Sequence, residues 1–137
     1  MSIFTGPLIE FTYGLQGTYL LFLYISEEMQ IERRGVRINL EKGFYFYIGS
    51  AFGAGGLSSR LHRHVRKQKK KHWHIDQITM HKASEIVGIA VSINQKEECE
   101  INQILSGLEC FVPINGIGNS DCKENCESHF LKVKMND

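Results

Sequence analysis

The sequence predicts one small α/β domain of the α+β type, in which a central mixed or antiparallel sheet is flanked by helices. Its 137 residues are 42% hydrophobic and 23% charged, a composition typical of a single soluble domain with a sufficient core. Apolar stretches typical of strands are separated by turn residues and by segments with helical spacing. No internal repeat interrupts them. We therefore expect residues 1–137 to form one domain with its core at about 17–130.

The first strand and the hairpin that follows it have the clearest patterns. Residues 17–25 are apolar and aromatic with little alternation, which favours a central strand buried on both faces. Residues 30–40 alternate in part and are interrupted by Arg34 and Gly35, so this stretch predicts a hairpin.

A second aromatic strand is predicted at residues 44–48. Alternate residues of a strand point to opposite faces, so Tyr45 and Tyr47 share one face and can reach a common surface. Residues 49–56 then contain four glycines, a composition that can bring backbone amides close to a ligand.

A helix is predicted at residues 57–66. Three apolar residues at helical spacing form its buried stripe: Leu57, Leu61 and Val65. Arg60 and His64 lie four residues apart on another face, so one helical turn brings a guanidinium and an imidazole side by side.

The second half of the chain predicts four elements and a loop. We expect a short helix at 73–81, a strand at 83–93 and a helix at 95–108. Residues 110–127 are typical of a loop, and residues 129–134 can close the sheet as a last strand.

Charge is strongly segregated along the chain, although the formal net charge is only +1. Residues 1–41 sum to −2 and residues 76–137 to −5, whereas residues 42–75 hold eight basic and no acidic residues. Four of the six histidines lie in the same stretch. Such a patch is typical of a surface that binds a polyanion, and the alternative is a solvated loop.

The predicted nucleic-acid contacts lie in this basic stretch. The side chains expected to contact a nucleic acid are Arg63, Arg66, Lys67, Lys69, Lys70, Lys71, His72 and Trp73. Trp73 is either a stacking platform for a base or a core residue. Asp76 is expected to brace the lysine-rich loop. Because phosphate contacts are independent of sequence, binding should weaken steeply with salt.

The four cysteines favour reduced thiols or a metal site over disulfides, because no export signal accompanies them. Cys122, Cys126 and His129 have spacings compatible with Zn²⁺, and the alternative is a reduced, packed cysteine pair. A closed tetrahedral site needs a fourth ligand, for which the candidates are Asp121, Cys99 and Cys110.

No segment predicts export or membrane insertion. The longest apolar run, residues 19–25, is far shorter than the ~20 residues that cross a bilayer. Residues 1–14 lack a basic n-region. We expect a cytoplasmic protein without a membrane partner.

Several motifs occur in an order that resembles a known nuclease superfamily. They are Gly17-Thr18-Tyr19, Tyr47-Ile48-Gly49, Arg60 with His64 on one helix, and a later helical Glu. This order resembles the GIY-YIG nuclease superfamily. The run from Tyr47 to Gly53 and the segment His72-Trp73-His74-Ile75-Asp76 resemble its Uri-type endonuclease branch, as does the tail from Ser120 to His129. In that branch the domain occurs alone or joined to an endonuclease III-like glycosylase.

The resemblance implies a metal-dependent endonuclease that hydrolyses DNA phosphodiester bonds, in DNA repair or at structured DNA. It assigns catalytic roles to Tyr19, Tyr47, Arg60 and His64. It assigns one Mg²⁺ or Mn²⁺ ion to Glu98, with Glu97 and Glu100 as neighbouring alternatives. A functional link to a DNA glycosylase is also implied.

Two other functions stay open at this point. The first is a non-catalytic nucleic-acid-binding module that retains the groove of the superfamily. The second is a role directed at RNA, although DNA is the expected partner, since no residue pattern marks recognition of 2′-hydroxyl groups.

Overall fold

The computed structural model describes residues 6–114 and 129–134. Within these residues the elements follow one another as α1 (Gly6–Phe11), β1 (Gly17–Ile25), β2 (Met29–Arg33), β3 (Val36–Leu40), β4 (Gly43–Ala51), α2 (Gly56–Val65), α3 (Asp76–Thr79), β5 (Ser84–Ile93), α4 (Glu98–Ser106), β6 (Phe111–Pro113) and β7 (Phe130–Val133). The fold is α+β, as predicted.

The main sheet has five antiparallel strands in the order β5-β1-β4-β7-β6. The predicted central position of β1 is confirmed, because it pairs with β4 on one side and β5 on the other. Its Leu21 and Leu23 are fully buried on the face towards α2. The prediction of burial on both faces was too strong, since Phe22 and Tyr24 are half-buried. Helix α4 packs mainly on β4 and β6.

The predicted hairpin is confirmed as a separate two-stranded sheet of β2 and β3. Its turn uses Arg34 and Gly35 with φ of 50° and 80°, the left-handed pair that a tight type I′ hairpin turn requires. The Gln77 side chain ties this hairpin to α3 through two hydrogen bonds with the backbone of Glu32.

The predicted helices are present, and two of them begin later than expected. Helix α4 begins at Glu98 because Thr18 Oγ1 donates to the Gln95 carbonyl (2.7 Å) and accepts from the Glu97 N–H (2.8 Å). These two bonds hold residues 95–97 outside the helix. Helix α3 begins at Asp76 because the Asp76 carboxylate binds the backbone before it.

Two elements were not predicted. Helix α1 lies near the start of the chain, where only Pro7 at an early helical position is a local signal. Strand β6 (Phe111–Pro113) contradicts the loop predicted for residues 110–127, because these residues pair with β7. Residues 115–127 of that loop lie outside the described residues. The predicted last strand is confirmed as β7.

The core lies between the main sheet and α2, α3 and the hairpin. The predicted helical stripe contributes Leu57 and Leu61, which are fully buried, while Val65 is partly buried. Among the described residues, no helix is both long and apolar enough to cross a membrane.

Candidate functional site

Tyr19 is at the centre of the candidate site. It lies on β1, is 2% exposed, and faces Gly49 of β4 in the antiparallel register. A Cβ atom at Gly49 would overlap Cζ and Oη of the Tyr19 ring. Glycine at position 49 is therefore what allows the phenol to cross β4 and reach α2.

His64 on α2 is the hydrogen-bond partner of Tyr19. Tyr19 Oη and His64 Nε2 are 2.7 Å apart, and both side chains are buried. The Tyr47 ring lies 6.4 Å from the Tyr19 ring and 5.8 Å from the His64 ring, measured between centroids. Two strands and one helix thus bring these three side chains together.

Burial keeps the Tyr19–His64 pair neutral. Loss of solvent, followed by the nearby charge of Lys69, lowers the pKa of His64 to about 3. Burial raises the pKa of Tyr19 well above its ordinary value, and Tyr47 adds to the rise. Tyr19 Oη and His64 Nε2 share one hydrogen bond, and the tautomer of His64 sets which of the two atoms donates. His64 Nδ1 is buried and has no hydrogen-bond partner among the described residues.

Arg60 joins the cluster from the same helix as His64. Its positive charge, followed by its hydrogen-bonding donors, lowers the pKa of the Tyr19 phenol against the effect of burial. Its Cζ lies 4.8 Å from the centroid of the Trp73 ring, and Arg63 Cζ lies 5.0 Å from the same centroid. The Trp73 ring is thus packed among cationic side chains.

Glu98 approaches the cluster from the first turn of α4. Its Oε1 accepts a hydrogen bond from Ser50 Oγ (3.3 Å), and its Oε2 lies 3.6 Å from His129 Nδ1. The negative charge of Glu98 contributes to the raised pKa of Tyr19, so the carboxylate acts on the same cluster. The side chain keeps 17% exposure.

The two neighbouring acidic candidates have other surroundings. Glu97 precedes α4, and its Oε2 accepts a hydrogen bond from Ser92 Oγ at 3.1 Å. Glu100 is exposed. Of the three, Glu98 is the one whose charge we find acting on Tyr19.

The donors around Glu98 suit a hydrated divalent ion. Mg²⁺ and Mn²⁺ favour oxygen ligands, and Mg²⁺ usually keeps several waters while binding one or two carboxylates. Within the described residues, no Lys or Arg lies within 4.0 Å of the Glu98 carboxylate to neutralise it. Residues 6–114 and 129–134 hold no group of three His, Cys, Asp or Glu that could enclose a metal. A divalent ion bound to Glu98 with no second or third such ligand would keep most of its water.

Asp76 organises the basic segment beside the cluster, as predicted for this residue. It is fully buried, and its Oδ2 accepts from Arg63 Nη2 (2.5 Å), from the His72 N–H (2.8 Å) and from the Trp73 N–H (2.9 Å). These bonds, with the Arg63 charge, hold the pKa of Asp76 below its usual value although burial opposes the shift. The lysine-rich segment is therefore attached to the domain at a fixed point.

The basic side chains divide into structural and exposed groups. Lys69 is 2% exposed and donates to the Arg63 and His64 carbonyls and to Thr79 Oγ1. Lys67 donates to the carbonyls of His81 and Ser84. The exposed members are Arg66, Lys67, Lys70, Lys71 and His72, and of these Lys67 is held by its two carbonyl contacts. Lys69, predicted as a nucleic-acid contact, is thus turned into the domain, because the carbonyls at the end of α2 need donors.

The suggested zinc site lies largely outside the described residues, because Cys122, Cys126 and Asp121 are not among them. Its described member, His129, is buried, with Nε2 3.8 Å from Cys99 Sγ. Of the two described candidates for a fourth ligand, Cys99 is thus near His129, whereas Cys110 is exposed.

Three contributors to the site were missed at the level of sequence: Ser50, the contact of His129 with Glu98, and the space requirement at Gly49. Gly49 does belong to a motif that was noticed. Ser50 and His129 also lie in motifs singled out from the sequence, but their contacts with Glu98 carry no local signal, because Glu98 lies 48 and 31 positions away in the chain.

The family model of a domain of unknown function, DUF123, matches residues 18–137. This range includes every residue of the cluster described above. No curated protein and no solved structure gives a significant match. Because the family model covers most of the chain, the protein belongs to the DUF123 family.

Proposed function

We propose that this protein is a divalent-metal-dependent endonuclease that hydrolyses DNA phosphodiester bonds. The observation that carries the proposal is the convergence of Tyr19, Arg60 and His64 around one hydroxyl group, with the Glu98 carboxylate acting on it. A proton acceptor, a cation for a phosphate and a carboxylate for a metal are what such a hydrolysis needs. The motif order that resembles the Uri-type branch of the GIY-YIG superfamily supports the same reaction.

In the proposed reaction a water oxygen attacks phosphorus, and the bond from phosphorus to the leaving sugar oxygen breaks. Tyr19 Oη accepts the water proton while its own proton passes to His64 Nε2, which lies 2.7 Å away. The imidazole is unprotonated in the free protein and offers Nε2 as the acceptor in its Nδ1–H tautomer. Because its pKa of about 3 makes it a weak base, substrate binding must raise that pKa for the transfer to occur. The negative phosphate, once bound, favours the protonated imidazole.

Arg60 is the group that meets the phosphate. Its planar donors suit phosphate oxygens, whose negative charge grows in the transition state. Its charge already acts on Tyr19, so we place the phosphate at Arg60 next to the hydroxyl that receives the proton. A Mg²⁺ or Mn²⁺ ion held by Glu98 would supply positive charge to the reacting phosphate. Tyr47 packs against His64 and limits its movement.

The exposed basic side chains extend this site along a nucleic acid. Arg66, Lys70, Lys71 and His72 follow directly after the helix that carries Arg60. Contacts of this type go to backbone phosphates and fix the position of the substrate rather than its sequence. We propose DNA, in repair or at branched and damaged structures, as the substrate.

The experiment is cleavage of supercoiled, branched and abasic DNA with Mg²⁺ or Mn²⁺. We expect the wild type to nick, Glu98→Gln to lose cleavage, and the matched variant Glu100→Gln to cleave like the wild type. DNA binding is measured in parallel in EDTA over a series of salt concentrations. Binding with a steep salt dependence but no cleavage would identify a non-catalytic binding module, and cleavage confined to RNA would identify a different substrate.

A further inference from the structure

Trp73, the single tryptophan of the chain, lies beside two arginines of α2. The Cζ atoms of Arg60 and Arg63 lie 4.8 Å and 5.0 Å from the centroid of its ring. Both distances are inside the ~6 Å range in which the ring electrons attract a cation. One neutral side chain therefore holds two guanidinium groups.

These two arginines differ in their counter-charge. Arg63 Nη2 is 2.5 Å from the buried Asp76 carboxylate, which compensates its charge. Arg60 has no carboxylate within 4.0 Å among the described residues, and its charge acts on the Tyr19 hydroxyl. Within residues 6–114 and 129–134, Trp73 thus contacts the Arg60 guanidinium without an ion pair to compensate its charge.

Trp73 is itself fixed. Its backbone N–H donates to Asp76 Oδ2 (2.9 Å), and Asp76 is fully buried. Its ring centroid lies 5.9 Å from that of His64 and 5.3 Å from that of His72. Because both the backbone and the ring are restrained, Trp73 can determine where a flexible arginine side chain rests.

We infer that Trp73 is a positioning residue, which holds the Arg60 guanidinium beside the Tyr19–His64 pair while leaving its charge for a phosphate. A carboxylate could position Arg60 as well, but it would compete with the phosphate for the same donors. An aromatic ring attracts the cation through its quadrupole and keeps the net charge of the site positive. The inference about placement stands on the geometry alone, and its kinetic consequence rests on the proposed function.

The placement is tested by NMR on the full chain labelled with ¹³C and ¹⁵N. The ring current of Trp73 should shift the Arg60 side-chain protons upfield in the wild type. Trp73→Leu should return them to the positions of the exposed Arg66, and Trp73→Phe should keep part of the shift. Amide spectra and thermal unfolding identify any variant that has lost its fold, and Trp73→Phe then carries the test. Arg60 resonances that do not change in either variant would overturn the inference.

The kinetic test compares Trp73 and Arg60 variants in DNA cleavage. Trp73→Leu should lower kcat about tenfold with little change in KM. The free energy of a desolvated cation–π contact is similar to the change in activation free energy that a tenfold loss of rate requires. Trp73→Phe should recover most of the loss. In an Arg60→Gln background, Trp73→Leu should add little further loss, because both changes act through one guanidinium. Fully additive losses would refute this coupling.

The NMR test and the kinetic test separate the placement of Arg60 from the proposed nuclease function. A wild type that cleaves no DNA contradicts the proposed function, while the Arg60 resonances still decide whether Trp73 places the guanidinium.

Discussion

Protonation of His64 should govern the stability of the fold in mildly acidic solution. The pKa of His64 is lowered to about 3, chiefly by burial and then by the Lys69 ammonium. Arg60 and Arg63 on its own helix act in the same direction, while Asp76 opposes them. From the strands, Tyr19 and Tyr47 face the ring, and the raised pKa of Tyr19 keeps its hydroxyl uncharged at neutral pH.

The direction of the pH effect on stability follows from the difference in the His64 pKa between the folded and unfolded states. An unfolded chain protonates its histidines near pH ~6.5, whereas His64 in the folded protein stays neutral down to pH of about 3. Between these values the unfolded state binds one more proton, so acid favours unfolding. The slope is ~1.4 kcal/mol per pH unit for a single site, which makes ~2 kcal/mol between pH 7 and pH 5.

Other titrating groups with shifted pKa values lie outside this window. The pKa of Lys69 is lowered to about 8, so its ammonium is charged in both states between pH 7 and pH 5. The pKa of Asp76 lies below its ordinary value, so its contribution is lost only in more acidic solution.

The assay is urea unfolding of the wild type, His64→Gln and His62→Gln at pH 7, 6 and 5. His62 is exposed on the same helix, so it is the matched control. We expect the unfolding free energy of the wild type and of His62→Gln to fall by ~2 kcal/mol more than that of His64→Gln. Equal pH dependence in all three proteins, or an NMR titration of His64 near pH 6.5, would refute the reasoning.

Three further predictions concern the packing of the site and the basic segment. In urea unfolding, Gly49→Ala should lower the unfolding free energy by ~1–3 kcal/mol, because the added Cβ displaces the Tyr19 ring. The control Gly53→Ala should change it little, because the space around position 53 is open. Asp76→Ala should lower the free energy of unfolding by ~3–5 kcal/mol in thermal or urea unfolding, because it leaves Arg63 and the buried Lys69 without their carboxylate. An equal loss in the exposed control Glu28→Ala would contradict this reason. Lys70→Gln and Lys71→Gln should each reduce the magnitude of the slope of log K against log salt for DNA binding by ~1, because each removes one phosphate contact. The control Lys82→Gln should leave this slope unchanged.

Elements with a strong local pattern were predicted well from the sequence. The unbroken apolar run of β1 and the Arg34-Gly35 turn of the hairpin each leave few alternatives. The starts of α3 and α4 were not predictable in this way, because they depend on side chains that bind the backbone. For α4 the deciding residue, Thr18, is 79 positions away from Glu97.

The residues of the candidate site also divide into those that the sequence predicted and those that depend on contacts made in the fold. The order of motifs singled out Tyr19, Arg60 and His64, which the fold brings together around one hydroxyl. The basic run was read as one surface, yet Lys69 points into the domain because the end of α2 offers unsatisfied carbonyls. Residue type and spacing do not show which lysine of such a run will donate to the carbonyls that end the helix.

The most direct measurement is the single-turnover nicking rate of supercoiled DNA with Mg²⁺ for the wild type, Tyr19→Phe and Tyr24→Phe. Each variant removes one hydroxyl group, but only the first removes the proposed proton acceptor. Tyr19→Phe should cleave ~10²–10⁴-fold more slowly, with DNA binding in EDTA unchanged, and Tyr24→Phe should cleave like the wild type. Cleavage by Tyr19→Phe at the wild-type rate would contradict the proposed role of this hydroxyl, and a wild type that never nicks DNA would contradict the nuclease function itself.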